Sequence, residues 1–150
     1  MAVRELLFDA AAQLTETIDF GIDAQSLFSG RTPVPPQGVR LNTSFQAEFT
    51  GPKFKGKIAG TDYILWRADG VGMINAQGVI TTVEGDRIAY HADGILARPE
   101  QASSTLYQGR ENISFHTASA KYSWLNRIQC WATGTLDLAT RKMTMKAYAA

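Results

Sequence analysis

Arg67 and Asp69 stand two residues apart in "TDYILWRADG". On an extended chain that spacing puts a guanidinium and a carboxylate on one face at a hairpin mouth, where they pair with each other or bind an anion. The same Asp-Gly step is also a hairpin signal that fixes register without any chemistry. His116 in "ISFHTA" is a second candidate for moving a proton, with His91 in "RIAYHADG" behind it, because imidazole titrates near neutral pH. Asp69, His116 and Arg67 are therefore the expected catalytic set. The densest run of polar-tipped rings is "KYSWLNRIQCWATG", Lys121 to Gly134. Read as one strand, it sends Trp124, Asn126, Ile128, Cys130, Ala132 and Gly134 inward and leaves Leu125, Arg127, Gln129, Trp131 and Thr133 outside. An inward Asn needs partners or costs about 1–3 kcal/mol, so Asn126 either ties a loop down or meets a ligand's carbonyl or hydroxyl. Tyr63, Tyr90, Tyr122, Trp124 and Asn126 form the expected ligand-binding set.

Other chemistries lack their residues. Two histidines without HxH or HExxH spacing and a single cysteine supply no zinc or iron ligand set, so no metal is expected. "GVGMINAQ" lacks the third glycine and the following helix of a dinucleotide cradle, and no GxSxG elbow occurs. Cys130 on an inward strand position reads as a small hydrophobe. No cofactor is expected. Fifteen Lys+Arg against fourteen Asp+Glu leave a formal charge of +1, which gives no basic field for nucleic acid. The apolar residues of "MAVRELLFDAAAQL" are interrupted by Arg4, Glu5 and Asp9, so neither a secretory h-region nor a membrane span is expected, and the reading is cytoplasmic.

The elements that must position these residues are strands. "RELLFDAAAQL" fits a short helix or a leading strand. "TETIDFGI" alternates, with Ile18, Phe20 and Ile22 expected on the buried face of a strand. "SGRTPVPPQGVR" cannot continue a ladder and reads as a loop draped over one end, the expected lid. From "LNTSFQAEF" onward, β-rich runs recur at intervals of about ten residues, punctuated by "TGPKFKG", "ADGVG", "EGDR" and "DLATRK". Short strands in succession favour an antiparallel meander of about eight to ten strands in one domain, 1–150, and 150 residues suffice for a real core. The meander closes into a barrel or folds into a sandwich. Closure removes the edges and suits the many corner glycines, so the barrel is preferred.

The order "GRTPVPPQGVR", "FTGPKFKGKIAGTDY", "RADGVGMINAQGVITTVEGDRIAYHADGI" and "FHTASAKYSWLNRIQCWATG" resembles the bacterial family known as domain of unknown function 3237. The likeness covers roughly residues 13 to 148. It implies an all-β, calycin-like antiparallel barrel that associates into oligomers, with no agreed activity. Cys130 and Trp131 depart from the simpler apolar residues expected there.

A barrel with an apolar cavity and a few polar tips fits two functional classes. One is a cofactor-independent enzyme of isomerase, cyclase or lyase type, acting by proton transfer on an aromatic or polyketide-like carbonyl compound, with Arg67 and Asn126 steadying an enolate oxygen. The other is a lipocalin-like carrier of a small hydrophobic molecule. A third class is a structural homo-oligomer in which the outward Trp131 builds an interface. The enzyme is slightly favoured.

Overall fold

The computed structural model describes residues 4–99 and 105–149. The first three residues of the N-terminal run lie outside them. Among the described residues eight antiparallel strands, each paired with its sequence neighbours, close into a barrel when the last pairs with the first. They are β1 (Glu5–Asp19), β2 (Val39–Thr50), β3 (Lys55–Trp66), β4 (Gly72–Thr82), β5 (Arg87–Ala97), β6 (Leu106–His116), β7 (Gln129–Asp137) and β8 (Lys142–Ala149). Helix is confined to α1 (Ala24–Phe28) and a 3-10 turn at Ser123–Arg127. Among the described residues no helix is long and apolar enough to cross a membrane.

Alternation explains the walls. In β4, Gly72, Ile74, Ala76, Ile80 and Thr82 are buried while Met73, Asn75, Gln77, Val79 and Thr81 face out, and β5 repeats the pattern with Ile88, Tyr90, Ala92 and Leu96 inside. The leading run "RELLFDAAAQL" is strand. Its register against β8 shifts between Leu6 and Phe8, and this bulge is where adjacent Leu7 and Phe8 are both buried.

Two expectations on local structure are corrected. Ile18 and Phe20 are 52% and 62% exposed: the register of β1 against β2 shifts between Leu14 and Thr17, which turns Thr17 toward the interior and Ile18 outward, and Phe20 lies past the end of the strand at Asp19. "KYSWLNRIQCWATG" is not one strand. Tyr122 through Arg127 wind into the 3-10 turn, which buries Tyr122 and Leu125, three residues apart, and the strand begins only at Gln129. Cys130 and Ala132 do point inward from β7, and Trp131 points out.

The two barrel ends differ. At one end the β2–β3, β4–β5 and β6–β7 connections meet over a ring cluster. Phe54 packs against Phe8, Phe49, Tyr122 and Trp124 with centroids 4.9–6.2 Å apart. The 3-10 turn plugs this end. At the other end α1 lies across the opening. Asp23 caps it by accepting from the Ser26 backbone N–H at 2.6 Å. Phe28 anchors it edge-on against Trp66 and Tyr107, at 5.0 and 6.2 Å.

Candidate functional site

An eight-stranded barrel is just wide enough for its own side chains to fill. Here small residues at mid-height leave it unfilled. Gly60 on β3 faces Gly78 on β4 in register, and a Cβ on either would strike the opposite backbone. Phe45 and Tyr90 flank that pair on β2 and β5 and reach across it edge to face, 6.4 Å apart. With Ala12, Ala47 and Ala76 also in the wall, a cavity of about 520 Å³ remains beneath α1. Its walls are aliphatic and aromatic, and its polar groups are few.

Three of those groups are titratable and lie inside: Asp62 on β3, Tyr90 on β5 and Glu111 on β6. Glu111 follows the inward sequence Tyr107, Gly109, Glu111, Ile113, Phe115 and is only 6% exposed. Its Oε2 has no hydrogen-bond partner among the described residues. Burial, reinforced by the charge of Asp62, pushes its carboxyl up to about 7. Asp62 is inward with Ile64 and Trp66. The β3–β4 ladder is registered at Asp62↔Ala76 and again at Leu65↔Met73, and between them the Asn75 backbone N–H donates to Asp62 Oδ1 at 2.9 Å. Burial raises Asp62 to about 6, and the Asn75 N–H partly offsets it by favouring the carboxylate. Tyr90 is held well above the usual phenol range by burial and then by the two carboxylates, so its hydroxyl keeps its proton.

The pair therefore titrates unequally. Asp62, with a hydrogen bond to its charged form, ionises first. Glu111, more deeply buried and facing that charge, keeps its proton longer. Between about pH 6 and 7 Asp62 is ionised while Glu111 still holds its proton, so a base and an acid line the same apolar chamber.

Of the residues expected from sequence, Tyr90 lines the cavity and the others do not. Arg67 and Asp69 lie on the exposed β3–β4 hairpin and pair with each other, while Asp69 Oδ1 accepts from the Val71 N–H at 3.2 Å, the register-fixing turn. Their strand face, which includes exposed Tyr63, is the outer one, because β3 turns Asp62, Ile64 and Trp66 inward. His116 ends β6 pointing out, and His91 meets Asn75 Oδ1 at 3.2 Å, also outside. Tyr122, Trp124 and Asn126 belong to the plugged end. Tyr122 donates to Glu84 Oε2 at 3.0 Å, and Lys53 lies over the Trp124 ring. Asn126 accepts from the Thr117 N–H and donates to the Thr117 carbonyl, both at 2.8 Å. Cys130 is buried and its thiol is pushed up to about 12, so it carries no thiolate. Among the described residues no group of three or more His, Cys, Asp or Glu is placed to hold a metal ion.

Fold and chamber together define the class: a closed eight-stranded antiparallel barrel enclosing an apolar cavity with an internal carboxyl pair. Within that class the chain belongs to a protein family of unknown function, DUF3237, which matches residues 14–150. No curated protein matches it. Solved structures share the fold. A protein of unknown function from Clostridium acetobutylicum ATCC 824 superposes with a TM-score of 0.78 at 22% identity, over 98% of this chain and 97% of that one. A β-barrel-like protein from Acinetobacter baumannii AYE gives 0.78 at 20% identity, over 98% and 94%. A protein from Penicillium herquei described as an enzyme gives 0.61 at 22% identity, over 99% and 96%.

Proposed function

We propose that the barrel is a cofactor-independent enzyme that moves a proton within a small, mainly apolar carbonyl compound, in the manner of an isomerase, cyclase or lyase. The observation that carries this reading is the Asp62–Glu111 pair, two carboxyls pushed up to about 6 and about 7 inside one apolar cavity. A plain carrier has no use for them, since an unpaired buried carboxyl costs stability and a hydrophobic ligand does not repay it. The Penicillium herquei neighbour agrees with catalysis on this fold.

The step follows from the protonation states. The Asp62 carboxylate takes a proton from the carbon next to the substrate carbonyl. The C–H electron pair forms the enolic double bond, and the charge moving to oxygen is met by the Glu111 carboxyl proton, with the Tyr90 hydroxyl as a second donor. The apolar walls exclude water and keep both carboxyls from ionising together. Return of a proton to the same or another carbon, attack of the enolic oxygen elsewhere, or loss of a leaving group then distinguishes the three reaction types.

Butyrophenone, a phenyl ketone small enough for the cavity, tests the step through exchange of its α-protons in D₂O, followed by NMR. The protein should accelerate exchange beyond free acetate at equal concentration, and Asp62→Asn should remove the acceleration. Binding with no acceleration would place the protein among the carriers.

A further inference from the structure

The inner carboxyls explain chemistry at one end of the cavity, and a different residue stands at its mouth. Arg141 lines the cavity beside α1 and, among the described residues, is the only cation that does. It closes the four-residue turn between β7 and β8, where its N–H donates to the Asp137 carbonyl at 2.7 Å. It is also the only non-glycine residue with positive φ among the described residues, at 60°. For an L-residue that left-handed conformation is unfavourable, and turns that need it normally use Gly or Asn. The backbone there is held from outside, because the Arg141 carbonyl accepts from the Leu14 N–H at 2.9 Å and from Gln13 Nε2 at 3.0 Å. The turn would be easier to form with glycine, so its backbone supplies no reason for an arginine and the side chain is what is left to account for.

The side chain is only lightly committed. Its Nη2 donates to the Thr15 carbonyl at 3.2 Å and to Thr17 Oγ1 at 3.4 Å, which aims it along the end of β1 at the cavity rim. Neither bond uses the donors on Nη1 or Nε, and a guanidinium presents a fork that matches a carboxylate. Thr17, Gln25 and Ser29 share the rim, whereas the deeper walls are apolar.

We propose that Arg141 selects substrates carrying a carboxylate: the acid end is held at the mouth by Arg141 while the carbonyl-bearing skeleton lies in the cavity toward Asp62 and Glu111. This rests on the cavity being the substrate site proposed above. It separates the molecule's charges sensibly, since the substrate's own anion is kept at the rim, away from the carboxylate that must act as base.

Two probes with the same aryl ketone distinguish the parts: 4-oxo-4-phenylbutanoate, which ends in a carboxylate, and butyrophenone, which ends in a methyl group. Affinities measured by titration calorimetry should favour the acid by roughly tenfold or more in the wild type, the scale of a charge-assisted hydrogen bond. Arg141→Gly and Arg141→Asn, both at home with positive φ, should bring the acid down to the butyrophenone level and leave butyrophenone affinity unchanged. Their melting midpoints should stay within about 3 °C of wild type or rise. Equal weakening of both probes, or retention of the acid preference in both variants, overturns the assignment. Because affinity is read separately from α-proton exchange, loss of selectivity and absence of catalysis are independent results: acid preference without exchange sinks only the enzymatic reading, and exchange without acid preference sinks only this one.

Discussion

The two ends of the barrel solve the same problem in opposite ways. At the plugged end Phe8, Phe49, Phe54 and Tyr122 fill the interior, and polar tips are paired within the protein: Tyr122 with Glu84, Asn126 with Thr117, Ser119 Oγ with Asp86 Oδ1 at 2.8 Å. At the cavity end the interior is left open by glycine and alanine, and a buried carboxyl oxygen of Glu111 has no hydrogen-bond partner among the described residues. One end spends its rings and polar groups on stability. The other accepts an unfilled volume and two uncomfortable acids, which is how active sites ordinarily differ from cores. Substitutions at the two ends should therefore separate activity from stability.

The largest separation is expected at Asp62. Asp62→Asn removes the base while keeping shape and the bond from the Asn75 N–H, so ketone exchange should fall by about 10²–10⁴-fold with the melting midpoint unchanged or higher. Phe54→Ala should do the reverse. It empties the centre of the ring cluster, which should lower stability by about 3–5 kcal/mol in denaturant titration and leave exchange per folded molecule as it was. If Phe54→Ala instead abolished exchange in a still-folded protein, the two ends would not be independent.

pH sharpens the comparison, because the carboxyls of the cavity end are displaced upward, whereas Glu84 at the plugged end is held low by its bonds from Lys121 and Tyr122. The Glu111 carboxyl titrates near 7 in the folded protein against an ordinary 4.5, so the folded state holds its proton longer than the unfolded chain does. That contribution is fully present below about pH 4.5, declines as pH rises and is gone above about 7, a loss on the order of 3 kcal/mol. Asp62, raised from 3.8 to about 6, adds a like decline at lower pH. Thermal midpoints of Glu111→Gln should therefore fall less between pH 5 and pH 8 than those of the wild type. Exchange in the wild type should peak between about pH 6 and 7, where Asp62 is ionised and Glu111 protonated. A wild-type rate that keeps rising to pH 9 would mean that Glu111 is not the acid.

Much of the barrel was legible because alternation and corner glycines are local signals. The site was less so, for reasons visible in particular strands. In "TDYILWRADG" the pairing of Arg67 with Asp69 drew attention to the outer face, although Asp62, Ile64 and Trp66 form the more apolar set and so the inward one. An acid among apolar inward neighbours was the available signal. In "LYQGRENISF" it was plainer, since Glu111 is the one charged residue on the Tyr107, Ile113 and Phe115 face. Tyr90 was found by that same parity. "KYSWLNRIQC" misled because its rings suit a strand by composition, while the buried residues Tyr122 and Leu125 are three apart, the spacing of a 3-10 turn. The closeness of Asp62 to Glu111, and the perch of Arg141 beside α1, depend on barrel closure, which brings distant strands together and leaves no trace in local periodicity.

The smallest expected effect concerns Asn126, where the plugged end looks most like a binding site. Its amide makes the two bonds a ligand amide would make, but both go to one residue's backbone, Thr117, at the start of the β6–β7 connection. Thr117 is further fixed by its hydroxyl, which donates to the Arg87 carbonyl at 2.8 Å. The Asn126 side chain thus holds the 3-10 turn against the end of β6, as a clasp on the plug. Asn126→Leu keeps the volume and removes both bonds, leaving a half-buried N–H and C=O to find water, so it should cost about 1–3 kcal/mol in denaturant titration. Ketone exchange, the pH optimum and the preference for 4-oxo-4-phenylbutanoate should all be unchanged in the folded variant. Asn126→Ala is a weaker test, because the space it opens adds a penalty of its own. Were the Leu variant fully stable yet unable to bind either ketone, the functional end of the barrel would be the plugged one, and the acids of the open end would need another explanation.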